Sequence, residues 1–178
     1  KKKKVEKIDV RLGAKPISKI RGINMLKLED EMLETNRAIV KMQNVSFISW
    51  KKYNNNKYEV FITVKNQSDQ ITQMLTDDEL LDLKKYYAEC AKKNSVISER
   101  PDSELLRVNQ KISIEDGILI DSHRCVVDLA LVEFITIKEN YYTGEYIIKL
   151  HFQNKEVRLY LGNYDEVESI IGIWTQYR

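Results

Sequence analysis

Arg37-Ala38-Ile39-Val40-Lys41-Met42-Gln43-Asn44-Val45-Ser46-Phe47-Ile48-Ser49-Trp50-Lys51 has a counterpart later in the same chain, Arg124-Cys125-Val126-Val127-Asp128-Leu129-Ala130-Leu131-Val132-Glu133-Phe134-Ile135-Thr136-Ile137-Lys138. Arg37, Val40, Val45, Phe47, Ile48 and Lys51 recur as identical residues at a spacing of 87. Upstream, Glu29, Asp30 and Leu33 meet Glu115, Asp116 and Leu119 at 86. Downstream, Tyr58, Val60, Ile62 and Val64 meet Tyr146, Ile148, Leu150 and Phe152 at 88, and Asp78-Glu79 meets Asp165-Glu166 at 87. Spacings that drift by one residue are what insertions in loops between matched strands produce. An internal repeat decides architecture before any other signal. It names no activity.

Within each repeat the apolar period is two. Tyr58, Val60, Ile62 and Val64 alternate as a strand with one buried face must. Ile39 to Trp50 and Cys125 to Ile137 are rich in β-branched and aromatic residues, and the polar runs Tyr53–Lys57 and Tyr141–Gly144 read as loops after them. Phe47-Ile48 and Phe134-Ile135 are adjacent apolar pairs. On a regular strand neighbours point to opposite faces, so both faces are covered or a bulge intervenes. In the second repeat Phe134 and Val132 are expected on the covered face, with Tyr146 and Ile148 opposite. Each repeat then changes period. Thr76-Asp77-Asp78-Glu79 is a capping box, and Leu80, Leu83, Tyr87 and Cys90 follow on one helical face. Asn163 to Glu166 caps a second helix bearing Val167, Ile170, Ile171 and Trp174. The helices are expected near 78–92 and 164–176.

The expected fold class is α+β: two tandem repeats, each a small antiparallel sheet or partial barrel ending in a C-terminal helix. The organisation is a basic arm over 1–22, a first repeat over 23–93, a linker over 94–107 around Pro101, and a second repeat over 108–178. The order of elements, from Met25 to Lys93 and again from Lys111 to Arg178, resembles a pleckstrin-homology-like module, a small barrel closed by its final helix. Each repeat reads as a strand or two short of that barrel. The resemblance implies a binding module, and such modules place Lys and Arg around the first hairpin to hold phosphates. Here those turns read Glu29-Asp30-Glu31 and Glu115-Asp116-Gly117, which repel phosphate and argue against phosphoinositide as a partner.

Composition fits a folded domain: 43% of the 178 residues are hydrophobic and 31% charged. No apolar run is long enough for a membrane helix. Cys90 and Cys125 sit in apolar contexts without metal-ligand spacing and read as reduced core thiols, which points to a cytoplasmic setting. No cofactor or metal is expected. His123 lies in a turn, His151 is out of phase with its strand, and no H-E-x-x-H, G-x-S-x-G, P-loop or C-x-x-C occurs. The reading is therefore non-enzymatic, with no catalytic residues assigned.

The favoured function is a protein-binding or adaptor protein whose partner is another protein. The candidate contacts are Trp50, Tyr53 and Lys57 at the end of one long strand, and Tyr141 and Tyr142 in the matching loop, because Trp and Tyr at loop tips suit interface hot spots. High Lys, Asn, Ile and Tyr usage fits an AT-rich genome, and a phage or mobile-element inhibitor acting by protein contact is one concrete form of this reading. The alternative partner is nucleic acid. Lys1, Lys2, Lys3, Lys4, Lys7, Arg11, Lys15, Lys19 and Arg21 outnumber Glu6 and Asp9, so the arm carries +7 of a chain total of +2. It lacks aromatic residues for stacking on bases. The two readings separate in a gel shift of the full chain and a chain lacking 1–21, at about 50 and 200 mM salt. Protein binding expects no retardation in either lane set. Retardation that disappears with the arm and weakens with salt favours nucleic acid.

Overall fold

The computed structural model describes residues 26–93 and 105–177. The first of these segments contains β1 (Leu26–Glu29), β2 (Met32–Thr35), β3 (Ile39–Lys41), β4 (Val45–Asn54), β5 (Lys57–Val64), β6 (Gln70–Thr76) and α1 (Asp77–Lys93). The second contains β7 (Leu106–Arg107), β8 (Ile112–Glu115), β9 (Ile118–Asp121), β10 (Cys125–Asp128), β11 (Phe134–Glu139), β12 (Tyr146–Phe152), β13 (Lys155–Leu161) and α2 (Tyr164–Thr175). The fold is mainly antiparallel sheet with two helices. Six strands precede α1 in the first segment and seven precede α2 in the second. β3 and β10 break off from Ile39–Trp50 and Cys125–Ile137, which read as single long β-rich stretches, and β7 is two residues long, too short to show any alternation.

The hairpin turns explain themselves locally. β1 turns into β2 through Asp30 (φ 55°) and Glu31 (φ 58°), and β8 into β9 through Asp116 (φ 52°) and Gly117 (φ 77°). Two successive left-handed residues match the twist of the flanking strands. Gly117 has a second reason to be glycine: a Cβ there would lie 2.5 Å from the ring of Tyr177. The helices start where their caps predict. Thr76 Oγ1 accepts from Glu79 N while the Glu79 carboxylate accepts from Thr76 N, and Asn163 Oδ1 accepts from Glu166 N. The loop expected over Tyr53–Lys57 is shorter, because β4 runs to Asn54 and only Asn55-Asn56 separates it from β5.

Sheet topology departs from two self-contained repeats. One seven-stranded sheet runs β6-β5-β4-β10-β9-β8-β7, flanked by β1-β2-β3 and β11-β12-β13. The join is β4 with β10, where Phe47, Ile48 and Ser49 lie opposite Val127, Val126 and Cys125. β4 thus has a neighbour on each edge, and both of its faces are covered. Ile48 and Trp50 meet Val126 in a core with Leu33, Ile62 and the buried face of α1. Phe47 points the other way, into a core with Cys125, Val127, Phe152 and α2, its ring 4.8 Å from that of Phe152. A register shift between Val45 and Phe47 adds the bulge. Both devices allowed by the adjacent Phe47-Ile48 pair are present.

Tyr87 of α1 ties the join together. It is buried, and its hydroxyl donates to Ser46 O (2.9 Å) on β4 and accepts from Asp128 N (3.0 Å) on β10. One phenol therefore satisfies a buried group on each strand where the ladder between them ends. Burial also pushes the Cys125 thiol up, keeping it protonated and unreactive within the join. No helix among the described residues is long and apolar enough to cross a membrane. Tyr87→Phe keeps the ring but strands the Asp128 amide and the Ser46 carbonyl, and should cost about 1–3 kcal/mol in urea unfolding; a loss within about 0.5 kcal/mol would mean the hydroxyl does not secure the join.

Candidate protein-contact surface

The five aromatic and basic positions singled out in the sequence fare differently. Trp50 is buried and is not a contact residue. Its strand is central rather than peripheral, its ring lies in the α1 core, and the Lys84 ammonium sits 5.0 Å above it. Burial lowers the Lys84 pKa. Tyr53 (68% exposed) and Lys57 are on the surface at the β4–β5 tip, where Asn54 Oδ1 accepts from Asn56 N. Tyr141 and Tyr142 are 87% and 100% exposed. Lys1, Lys2, Lys3, Lys4, Lys7 and Arg11 lie outside the described residues, as do most of the linker and the arm.

The β11–β12 loop is built to present its tyrosines. Asn140 N donates to Glu145 O, and Asn140 O accepts from Gly144 N, closing the loop at its base. Asn140 Oδ1 accepts from Tyr142 N at 3.0 Å, and Gly144 takes φ 74°, a conformation glycine adopts without strain. With backbone groups spent inside the loop, the Tyr141 and Tyr142 rings are left facing solvent.

The surface continues along β11, which the repeated pattern did not mark as exposed. Phe134 is half-exposed, not covered: it pairs with His151 on the outer face of its sheet and stacks on that imidazole at 4.1 Å. Val132 and Ile148 are buried and Tyr146 partly so. Among the described residues β11 pairs only with β12. It lacks the second neighbour that buries Phe47 and Trp50 on β4, so their counterparts Phe134 and Ile137 remain open. β3 likewise pairs only with β2 among the described residues, and its Ile39 is exposed.

Other sites are weaker. A groove of about 240 Å³ is lined by Lys65, Asn66, Glu133, Phe152 and Lys155, and another of about 210 Å³ by Ser49, Gln70, Arg124 and Arg158. Both fall below the roughly 300–1,000 Å³ usual for small-molecule pockets. The acidic turns have a structural use. Lys93 at the end of α1 pairs with Glu31 (2.9 Å), and Lys92 with Asp116 (3.2 Å). Comparison with models of known protein families and with curated proteins found no match.

Two phenylalanines at matched positions make the burial contrast measurable. Phe47→Ala should cost about 3–5 kcal/mol by emptying a core position. Phe134→Ala should cost less than about 1 kcal/mol, as exposed substitutions do. Equal losses in denaturant melts would contradict an open β11 edge.

Proposed function

We propose that the chain is a tandem duplication of one β-rich unit ending in a helix, acting as a non-enzymatic protein-binding adaptor. The units are 23–93 and 108–178. Several local devices recur in support of duplication. Turns of 3-10 helix, Met42–Asn44 and Leu129–Leu131, follow β3 and β10. Thr35 Oγ1 accepts from Arg37 N before β3, and Asp121 Oδ1 accepts from His123 N before β10. Trp174, the counterpart of Tyr87 at a spacing of 87, likewise reaches from its helix to the strand region before β11, donating to Val132 O at 3.1 Å. Element order and a helix packed on each sheet remain in keeping with the pleckstrin-homology-like resemblance.

The observation that carries the binding reading is the pair of fully presented rings, Tyr141 and Tyr142, on a loop whose own hydrogen bonds hold it in shape. Large aromatic side chains cost little entropy to fix on binding and bury wide areas, which is why Tyr is enriched among hot spots. A soluble domain has little reason to hold two such rings in water unless they meet something. Affinity capture from the native host with the wild-type chain and with Tyr141→Ser/Tyr142→Ser decides it. A partner retained by the wild type should fall at least about tenfold with the variant, corresponding to about 1.4 kcal/mol. Equal recovery would remove these tyrosines from the interface.

A further inference from the structure

We infer that copies of this chain join head to tail, β11 of one pairing with β3 of the next, by repeating the join that β4 makes with β10 inside each chain. The inference rests on the duplication proposed above. In a duplicated chain, β10 is the second unit's β3 and β11 is the second unit's β4. The internal join therefore uses the outward edge of one unit's β4 and one unit's β3. Each is left over once more, β11 in the second unit and β3 in the first, and among the described residues both lack that neighbour.

Residue by residue the leftover edges match. The internal register sets Phe47 opposite Val127, Ile48 opposite Val126 and Ser49 opposite Cys125. Transposed by 87, it sets Phe134 opposite Val40, Ile135 opposite Ile39, and Thr136 opposite Ala38. The hydrogen bond from Trp50 N to Arg124 O (2.8 Å) becomes one from Ile137 N to Arg37 O. Ile39, Ile135 and Ile137 then share a face, as Val126, Ile48 and Trp50 do inside the chain. Burial follows the difference in neighbours: Val126 is 0% exposed and Ile39 61%, Trp50 5% and Ile137 44%, Phe47 3% and Phe134 51%. One step further along the same register, Lys41 comes opposite Glu133, an attractive pair of unlike charge on two surface residues. An edge strand carrying exposed apolar side chains is a template for pairing with another chain. A join that uses two different edges is heterologous, so it propagates to a ring or a filament rather than stopping at a dimer.

The test uses the full chain. Wild type in sedimentation velocity should form species larger than a dimer as concentration rises. Ile39→Lys blocks the β3 end and Ile137→Lys the β11 end; both residues are exposed in the monomer, so melting temperatures should stay unchanged. Phe134→Lys is a second β11 block. Each single variant alone should lose every species above monomer, because its remaining edge finds only the same edge. An equal mixture of an Ile39→Lys and an Ile137→Lys chain should form dimers and stop there. A wild type that stays monomeric at every concentration overturns the head-to-tail join while leaving the duplication standing. A single variant that still dimerises by itself overturns it in favour of like-edge pairing. Ala38→Cys/Thr136→Cys tests the register separately: an intermolecular disulfide on mild oxidation supports it. Assembly without that cross-link would overturn the join's derivation from duplicated units.

Discussion

The pairing of β4 with β10 brings together the two halves of the chain, and most of what is buried depends on it. Only three residue pairs form its ladder, yet they place Ile48 and Val126 in one core and Phe47 and Val127 in the other. Because neighbouring residues of a strand face opposite ways, a single sheet shared by two cores needs apolar residues in succession, not in alternation. The runs Phe47-Ile48 and Cys125-Val126-Val127 meet that need. The Tyr87 hydroxyl closes the end of the ladder, so the helix that covers one face also satisfies the strands' leftover backbone groups.

Much of this was legible in the chain itself. Both helices, their caps and their buried faces follow from local chemistry, since a capping box or an i, i+3, i+7 stripe involves residues within a few positions of each other. The alternation of Tyr58 to Val64 and of Tyr146 to Phe152 was equally local. Strand neighbours were not legible, and this is where the reading of individual residues failed. Trp50 and Phe134 lie at the same kind of position in the repeated pattern as Ile137 and Phe47, yet Trp50 is core and Phe134 is surface. Period two tells which residues share a face, but whether that face is covered depends on the second neighbour of the strand. For β4 that neighbour comes from the other half of the chain. Tyr141 and Tyr142 were legible as exposed because their loop is polar throughout and folds on its own hydrogen bonds.

The acidic hairpins show how a residue type can be read correctly for chemistry and still serve another end. Glu31 and Asp116 disfavour phosphate at the β1–β2 and β8–β9 turns, and their partners turn out to be Lys93 and Lys92. The last turn of α1 is thus flanked by acids from both halves. Exposed pairs of this kind contribute little energy singly. Their value here is positional: cations at a helix C-terminus suit its dipole, and two acids on separate hairpins favour one seating of that end. Tyr86 adds to it by accepting from Glu31 N through its hydroxyl at 2.7 Å.

The wide separation along the chain of β4 and β10 has a consequence for synthesis. When the first half has left the ribosome, β1 to β6 and α1 are complete, but the strand that covers the edge of β4 has not yet been made. Phe47, destined for a core built almost entirely from later residues, has nowhere to go. Contacts between distant segments form late, and unpaired edges in partly made chains invite association with other molecules. The nascent first half is therefore the stage at which this protein most needs shielding.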